Sequence, residues 1–265
     1  MTQTKAIFIT GGGSGIGQAT AKLFAARGWR VAIADVNEKG LAETRAQLNS
    51  GIAETYVMDV RDRDAWTRCL DDFTAKSGGR LDVLFNNAGV GTGGPLATMS
   101  FEDIDRTVAI NLTGVLNGAR IGFAYLKRTA GSCLLNTASA SAIYGSSGLA
   151  PYSATKFGVR ALTEALDGEW YADGIKVRDL IPGFIETPLL DGTPTGSNES
   201  IRQRVLAAGL ELTPVEKVAE AAWHAVHGDA LHTYVGKTAD RLRFAARWMP
   251  GRLRKRMRRG MTTPE

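Results

Sequence analysis

Residues 6–17 of the chain read AIFITGGGSGIG, a short apolar run that passes directly into a glycine-rich turn. A helical spacing of apolar residues follows at once. Glycines let the backbone turn sharply and let a pyrophosphate approach a helix N-terminus, where free N–H groups and the helix dipole favour anions. The spacing is T-G-x-x-x-G-x-G, with Gly11, Gly15 and Gly17 as the fixed glycines, and it fits G-x-G-x-x-G in no register. Its place between a strand and a helix predicts a nucleotide-binding turn.

An acidic residue ends the second predicted strand, Val31–Asp35. A carboxylate here can accept hydrogen bonds from both ribose hydroxyls of an adenosine, and it would repel a 2′-phosphate. Neither the glycine turn nor position 36 carries an Arg or Lys to receive such a phosphate, so the sequence predicts NAD(H) rather than NADP(H). Asp35 is also placed to cap the next helix, and Asp59 either to meet the adenine ring or to cap its own loop.

Short apolar or β-branched runs alternate along the chain with longer stretches of helical period. This alternation predicts an α/β fold with a single doubly wound parallel sheet, right-handed crossovers and helices on both faces. The predicted strands are Ala6–Thr10, Val31–Asp35, Glu54–Met58, Val83–Asn86, Cys133–Thr137, Val177–Ile181 and Thr233–Val235. The predicted helices span 15–27, 38–49, 62–76, 101–128, 152–172 and 214–227, and residues 182–200 form the longest predicted loop.

The charge is distributed unevenly along the 265 residues, which hold 32 Lys or Arg and 27 Asp or Glu. Hydrophobic residues make up 44% and charged residues 22%, a globular composition that excludes disorder and a disulfide scaffold. Residues 237–265 carry ten Lys or Arg and two acids, whereas residues 1–236 carry 22 and 25. We therefore predict a nucleotide-binding catalytic domain over 1–236 and a basic C-terminal extension over 237–265.

The basic extension leaves two alternatives open. Leu242, Ala245, Ala246 and Met249 share one helical face, which predicts an amphipathic helix that docks on the body and covers the substrate pocket or a subunit interface. Alternatively, residues 240–260 contact an anionic membrane surface. The part after the Pro-Gly pair at 250–251 is predicted to be too charged to bury. No nucleic-acid partner is predicted, because the body lacks aromatic-basic interleaving.

The cysteines, the histidines and the apolar runs of the sequence predict neither a metal site nor a membrane-spanning segment. Cys69 and Cys133 offer neither metal spacing nor a disulfide framework and are predicted to be buried. His224 and His227 lie three apart on a helix without an acidic or cysteine partner, so surface histidines are predicted. No apolar run approaches about 18 residues, and no apolar leader precedes the first strand. A soluble, cytoplasmic chain is the expectation.

A tyrosine and a lysine four residues apart stand in the segment Tyr152-Ser153-Ala154-Thr155-Lys156, which opens a predicted helix. This spacing puts phenol and ammonium on one helical face. A free tyrosine ionises near pH ~10, and a nearby cation can lower that pKa by about one to a few units. Tyr152 is therefore predicted as a general acid/base, the alternative being an exposed Tyr beside a solvated Lys. Ser139 follows the fifth strand, at the edge where parallel strand ends gather, so its hydroxyl can face the same point.

Asparagine residues indicate two further candidate functional positions in the sequence. Asn86-Asn87-Ala88-Gly89 follows the fourth strand, where it can pack the adenine side and hold strand ends together. Asn111 is a poor helix former inside a long predicted helix, and this conflict predicts a backbone distortion or a polar network at a functional point.

Together these motifs resemble the short-chain dehydrogenase/reductase family, in its compact-length subgroup, over roughly residues 4–236. Extended relatives carry a glycine where this chain has Ser14. The motifs that carry the resemblance are Thr10 to Gly17, Asp59-Val60, Asn86 to Gly89, Asn111, Ser139, Tyr152-x-x-x-Lys156 and Pro182-Gly183. The resemblance implies a Rossmann-type fold and an oxidoreductase that transfers hydride between NAD(H) and a secondary alcohol or ketone.

The resemblance also implies a catalytic set of Asn111, Ser139, Tyr152 and Lys156. Tyr152, as phenolate, takes the proton of the alcohol while hydride passes to the nicotinamide, and Ser139 hydrogen-bonds the developing oxyanion. Lys156 lowers the tyrosine pKa and donates to the nicotinamide ribose, and Asn111 holds a water that links Lys156 to solvent. The residues that the resemblance assigns to the cofactor are Gly11, Ser14, Gly15, Ile16, Gly17, Asp35, Asp59, Val60, Asn87, Ala88, Gly89, Tyr152, Lys156, Pro182, Gly183, Ile185 and Thr187.

The predicted substrate lining is apolar and lacks an Arg or Lys before Arg202, which predicts an uncharged, largely hydrophobic substrate. Its members are Ser141, Ile143, Tyr144, Leu149, Phe184, Leu189 and Leu190. A homo-oligomer, tetramer or dimer, is expected through the helices near 101–128 and 152–172. Two competing functions remain: a non-catalytic NAD-binding regulator on the same fold, and a membrane-associated protein that acts through its basic tail.

Overall fold

A computed structural model describes residues 4–48, 53–194 and 197–258. Seven strands form one sheet in the order β3-β2-β1-β4-β5-β6-β7, and every pairing between neighbours is parallel. The strands are β1 (Ala6–Thr10), β2 (Arg30–Asp35), β3 (Ala53–Val57), β4 (Val83–Asn86), β5 (Cys133–Thr137), β6 (Lys176–Pro182) and β7 (His232–Val235). Each predicted strand is present, with its ends within one residue of the prediction, and the doubly wound Rossmann-type sheet is confirmed.

The helices follow the predicted order with three differences, of which one is the unpredicted helix at Pro250–Arg258. The predicted helix 101–128 is divided by a π-helical turn at Ala109–Thr113, and a short helix that the sequence did not predict begins at Ile201 behind a Ser200/Gln203 capping box. Residue 49 of the predicted second helix lies outside the described residues. The helices are α1 (Gly15–Ala26), α2 (Glu38–Ala46), α3 (Arg63–Lys76), α4 (Phe101–Val108), α5 (Gly114–Leu126), α6 (Ala150–Glu169), α7 (Ile201–Ala207), α8 (Val215–His227), α9 (Lys237–Trp248) and α10 (Pro250–Arg258).

The central strand β1 shows how the two layers are built. Its side chains alternate, so that Ile7 and Ile9 pack with α1 and α8 while Phe8 packs on the opposite face. There Phe8 meets Trp66 and Phe73 of α3, with ring centroids 6.0 and 5.9 Å apart. All five side chains are fully buried, because helices cover both faces of the sheet.

The basic extension is helical as far as it is described, up to residue 258. In α9, Ala239 is fully buried, and in α10 Leu253 is buried although its neighbours in the chain are exposed cations. The prediction that the segment after residues 250–251 is too charged to bury is therefore wrong at Leu253. Pro250 begins α10, because the first turn of a helix needs no donor from its N-terminal residue. Residues 259–265 of the predicted extension lie outside the described part.

The strand order fixes where a ligand can bind. The chain winds outward from β1 through β2 to β3 and then returns to β4, on the other side of β1. The crossovers therefore leave β1 and β4 in opposite directions, and their loops separate at the carboxyl ends of these strands. Such a switch point leaves a crevice for a ligand.

Candidate active site

A cavity of about 1200 Å³ lies at the carboxyl edge of the sheet. At one end it is lined by the glycine turn, with Gly11 and Ser14, and by Asp35. Elsewhere its wall includes Ser139, Tyr152 and Lys156. The structure thus brings the predicted nucleotide residues other than Gly17, and three of the four predicted catalytic residues, into one continuous cavity.

The glycine turn is packed too tightly for side chains. Gly11 and Gly15 have φ of +66° and +53°, in the left-handed region that favours glycine. A Cβ on Gly17 would lie 2.1 Å from the carbonyl oxygen of Gly11, so Gly17 shapes the turn although it does not line the cavity. Ser14 is the N-cap of α1 but makes no side-chain capping hydrogen bond. The N-terminus of α1 therefore faces the cavity with backbone N–H groups, which suits a pyrophosphate.

The carboxylate of Asp35 is fixed at the end of β2. It accepts hydrogen bonds from the main-chain N–H of Gly13 and of Asn37, each at 3.0 Å. The helix that follows is capped by the Asn37 side chain, which accepts from the N–H of Gly40 at 3.1 Å. Asp35 therefore does not cap α2, and its carboxylate faces the cavity as part of the lining.

Asp59 is held by the neighbouring Arg61 at the same end of the cavity. Its carboxylate accepts from the Arg61 N–H at 2.9 Å and from the guanidinium at 2.6–3.0 Å. This pairing lowers the pKa of Asp59 below its ordinary value. Of the two alternatives for Asp59, the contacts correspond to capping of its own loop.

The asparagine motif after β4 ties three strand ends together. The Thr10 hydroxyl accepts from the N–H groups of Asn87 and Ala88, both at 3.0 Å, and the Asn87 amide donates to the Thr10 carbonyl at 2.9 Å. The Thr137 hydroxyl at the end of β5 donates to the Asn87 side-chain oxygen at 3.1 Å. The prediction that this motif holds strand ends is confirmed, because β1, β4 and β5 all meet on Asn87.

Asn111 lies at the centre of the π-helical turn and is fully buried. Its side chain accepts from the N–H of Val90 and donates to the carbonyl of Val90, both at 2.8 Å. The predicted backbone distortion is therefore present, and so is a polar link. Asn111 does not line the cavity. Asn111 lies behind the cavity wall, next to Gly89. A Cβ on Gly89 would lie 3.2 Å from the Asn111 side-chain oxygen and 3.7 Å from Lys156 Nζ.

Lys156 is almost fully buried in the floor of the cavity. Its Nζ donates to the carbonyl of Thr137 at 2.8 Å and lies 5.7 Å from the ring centroid of Tyr152. Burial lowers the pKa of Lys156 to about 8, because an ammonium group loses hydration when it leaves water.

Tyr152 differs from its prediction in one respect. Burial raises its pKa above the ordinary value, and a hydrogen bond with the Ser139 hydroxyl opposes that rise. The predicted lowering by Lys156 is not present in this structure, because the Lys156 ammonium is turned to the Thr137 carbonyl. The Ser139 oxygen also accepts from the N–H of Ser141 at 3.2 Å, which orients it toward the cavity.

The substrate residues are only partly brought together. Ser141, Leu149, Phe184, Leu189 and Leu190 line the cavity, whereas Ile143 and Tyr144 do not. A short 3₁₀ turn at Ala140–Ala142 redirects the chain, and Ile143 packs instead in an apolar cluster with Val159. The exclusion of these two residues is a tertiary effect, since nothing in their sequence spacing indicates it.

The cavity also contains charged residues that the sequence did not place there. The lining includes Arg106 of α4, Glu199, and Arg204 of α7. Arg106 precedes Arg202 in the chain, so the prediction that the lining has no Arg or Lys before Arg202 is wrong. Arg106 lies one helical turn before Ile110, which also lines the cavity. This spacing places both side chains on one helical face, and it is the sequence feature that could have identified Arg106 as a lining residue. Further lining residues that sequence reasoning missed are Ala34, Val36, Met58, Arg61, Val90, Gly91, Gly93, Gly94, Pro95, Thr137, Ala138, Ser147, Gly148, Pro188, Pro194, Ser197 and Ile201.

The other candidate sites remain apart from this cavity. His224 and His227 are exposed, and no cluster of three metal-binding side chains occurs among the described residues. Cys133 is buried as predicted, while Cys69 is only partly buried. Within the described ranges no helix combines the length and apolar character that a membrane crossing requires.

Comparison with known proteins agrees with this arrangement. Residues 5–197 match the family model described as short chain dehydrogenase. A 3-oxoacyl-acyl-carrier-protein reductase of Thermotoga maritima is 35% identical over 203 residues, covering 76% of this chain and 82% of the relative. A meso-2,3-butanediol dehydrogenase of Serratia marcescens is 33% identical over 219 residues, covering 83% and 86%. A short chain dehydrogenase/reductase structure from Burkholderia phymatum, in complex with NAD, aligns with TM-score 0.82 and 26% identity over 100% of this chain and 99% of that one.

Proposed function

The chain belongs to the short chain dehydrogenase family, and we propose that it is an NAD(H)-dependent oxidoreductase that interconverts a secondary alcohol and a ketone. One observation carries the proposal: a single continuous cavity joins the glycine turn and Asp35 to Ser139, Tyr152 and Lys156. A regulator that only binds the dinucleotide would have no use for a buried ammonium beneath a tyrosine, because burying that charge costs stability.

The preference for NAD(H) rests on Asp35. Its carboxylate is oriented by Gly13 and Asn37 and keeps unused lone pairs toward the cavity, where two ribose hydroxyls could donate to it. A 2′-phosphate at the same place would meet like charge. Arg61 is the nearby lining cation, and its guanidinium is already bound to Asp59. The relative from Burkholderia phymatum, whose structure contains NAD, supports the same choice.

The proton chemistry is assigned to this chain's own residues. When bound, the nicotinamide supplies the hydride acceptor in the oxidation direction and the hydride donor in reduction. Tyr152 accepts the hydroxyl proton of the alcohol through its phenol oxygen, and it returns that proton when a ketone is reduced. Ser139 donates a hydrogen bond that favours the phenolate and is placed to hold the substrate oxygen.

Lys156 and Asn111 are proposed to support the proton transfer at Tyr152, Lys156 as a proton relay and Asn111 by positioning the adjacent main chain. With its pKa near 8, Lys156 can both lose and regain a proton close to neutral pH, as a relay behind the tyrosine requires. The Asn111 side chain is occupied by Val90, so a water held at this point would bind the main chain of the π-helical turn instead. Asn111 is thus a positioning residue for the Gly89–Val90 wall.

The substrate is proposed to be an uncharged, largely hydrophobic secondary alcohol or ketone. Leu189 lies against Gly91, where an added Cβ would be 3.2 Å from the leucine Cγ, and Leu149 lies 3.3 Å from the corresponding position at Gly93. These leucines and Phe184 form an apolar part of the cavity wall, which suits a substrate without charge. The neutral substrate named by the Serratia marcescens relative is consistent with this class.

A homo-oligomer is proposed through α4, α5 and α6. Val108, Leu116 and Phe157 expose large apolar side chains on these helices. A second copy that covered them would remove this apolar surface from water.

The proposal is tested by NAD⁺-dependent oxidation and NADH-dependent reduction over neutral and anionic secondary alcohols and their ketones, each repeated with NADP(H). Turnover with NAD(H) on neutral substrates, lost in the Tyr152→Phe variant, is expected. Preference for anionic substrates through Arg106 and Arg204 would overturn the substrate class. Tight NADH binding without turnover on any substrate would favour the regulator.

A further inference from the structure

The outward side of the two C-terminal helices carries exposed aromatic residues that the fold does not use. Phe244 and Trp248 are 57% and 65% exposed, and they lie four residues apart in α9, on the same helical face. Exposed aromatic side chains of this size, side by side, indicate a surface that contacts something other than water.

The opposite side of α9 is already occupied by the body of the protein. Ala239 is fully buried, Leu242 and Ala246 are partly covered, and the helix packs against β7. The N-terminal end of α9 also meets the cavity wall, since a Cβ on Gly183 would lie 3.2 Å from Thr238 Cβ. Because the helix is anchored by its inner face, Phe244 and Trp248 cannot turn inward without undocking it.

Cations flank the two aromatic residues within α9 and are frequent in the helix that follows. In α9, helical spacing places Arg241 on one side of the aromatic pair and Arg247 on the other. The α10 helix adds five exposed cations: Arg252, Arg254, Lys255, Arg256 and Arg258. No ion pair of these five occurs within the described part of the chain, and Asp240 is the one acid of residues 237–258.

We propose that the outer face of α9 and α10 is a docking surface for an anionic phospholipid bilayer. An aromatic pair flanked by arginines is suited to the interface of a bilayer, where rings enter the headgroup region and guanidinium groups bind phosphates. Each Lys or Arg near such a surface strengthens binding by about five-fold. Contact is peripheral, because no described helix is long and apolar enough to cross the membrane.

Charge complementarity decides between a bilayer and other occupants. A second copy of the same face would bring like charges together, and residues 1–236, with 22 basic and 25 acidic residues, are repelled by an anionic surface. The bilayer therefore binds the tail and holds the body away. Nucleic acid would use the cations, but it gives an outward Phe244 and Trp248 no apolar environment to enter.

The test is flotation of the full chain with two kinds of vesicle, phosphatidylcholine alone and an equal mixture of phosphatidylcholine and phosphatidylglycerol. Binding to the mixed vesicles only is expected. The double variant Arg254→Gln/Lys255→Gln should bind about 30-fold more weakly, whereas Lys39→Gln/Arg68→Gln, which removes two exposed charges from the body, should bind as the wild type does. Equal loss in both double variants would overturn the proposal.

The aromatic residues separate a bilayer from a polyanion. Phe244→Ser/Trp248→Ser should weaken vesicle binding at least about ten-fold, while Phe101→Ser, at an 83% exposed aromatic elsewhere, should not. Unchanged vesicle binding in the aromatic variant would overturn the proposal. So would tighter binding to duplex DNA than to vesicles. Dehydrogenase turnover on a soluble substrate, measured in parallel, reports on the proposed function independently of the vesicle result.

Discussion

The two ends of the cavity differ in the groups that form them, main-chain atoms at one end and ionisable side chains at the other. The nucleotide end is made of backbone: glycines that approach within contact of other main-chain atoms, and N–H groups that fix the Asp35 carboxylate. The reactive end is made of ionisable side chains, with Lys156 almost fully buried in the floor and the pKa of Tyr152 raised by desolvation. A backbone site tolerates no added atom, whereas a side-chain site tolerates changes of shape but depends on protonation. Substitutions at the two ends should therefore have different effects: on cofactor affinity at the nucleotide end, and on proton transfer at the reactive end.

The largest effect is expected at the reactive end, from Tyr152→Phe. Removing the phenol oxygen removes the proposed general acid/base, so kcat/KM should fall about 10³-fold while NADH affinity stays unchanged. Steady-state kinetics and NADH fluorescence titration measure the two quantities. Tyr144→Phe is the matched control, because Tyr144 lies in the loop that precedes α6 and outside the cavity. A loss below about ten-fold in Tyr152→Phe would remove the proposed role.

At the nucleotide end, Gly17→Ala should weaken cofactor binding rather than slow the chemical step. The new methyl group would lie 2.1 Å from the Gly11 carbonyl oxygen, so the turn must shift, and NADH affinity should fall by roughly 100-fold. Gly168→Ala is the control, since its Cβ meets open space on α6. Calorimetric titration measures both. Wild-type affinity in Gly17→Ala would show that the turn does not hold the pyrophosphate.

A smaller effect is expected from Asp35→Asn, which removes the charge and keeps one acceptor oxygen for the N–H of either Gly13 or Asn37. The ratio of NADH to NADPH affinity should fall about 10-fold to 100-fold, because a charge-assisted bond to ribose weakens and repulsion of the 2′-phosphate disappears. Glu38→Gln removes an equal charge nearby, outside the cavity, and should leave the ratio unchanged. An unchanged ratio in Asp35→Asn would contradict the cofactor assignment.

The smallest effect is on stability and concerns the buried ammonium. Because burial lowers the pKa of Lys156 from 10.5 to about 8, the unfolded chain binds more protons than the folded one between these pH values. The contribution of Lys156 to the free energy of unfolding should therefore rise with pH above about 8, by about 2 kcal/mol up to about pH 9.5. Urea denaturation of the wild type and of Lys156→Met measures it, since titrations common to both cancel in the difference. Parallel curves would mean that Lys156 is not desolvated.

Sequence prediction succeeded where the chemistry depends on local order. The strand runs, the glycine spacing and the position of Asp35 all lie within short segments whose periodicity and residue types are sufficient. The conflict at Asn111 predicted a distortion that is present as a π-helical turn. These features need no knowledge of distant contacts.

Prediction was incomplete where a side chain depends on contacts from elsewhere in the fold. The spacing of Tyr152 and Lys156 was read as direct electrostatic contact, but Thr137, nineteen residues earlier than Lys156, holds the ammonium. Tyr144 was assigned to the substrate wall and lies outside it, and Arg106 was absent from the assignment and lies inside. Each outcome depends on how loops from separate crossovers pack, which local periodicity does not encode.

The sequence by itself determined the fold, the glycine turn, the candidate reactive side chains and the separation of charge between body and tail. Only the tertiary structure decided which of those side chains meet in one cavity, how burial shifts the pKa values of Tyr152 and Lys156, and which face of α9 is left exposed. The physical reason is that periodicity and residue type act over a few positions. Desolvation and the occupancy of a helix face are set instead by residues far apart in the chain.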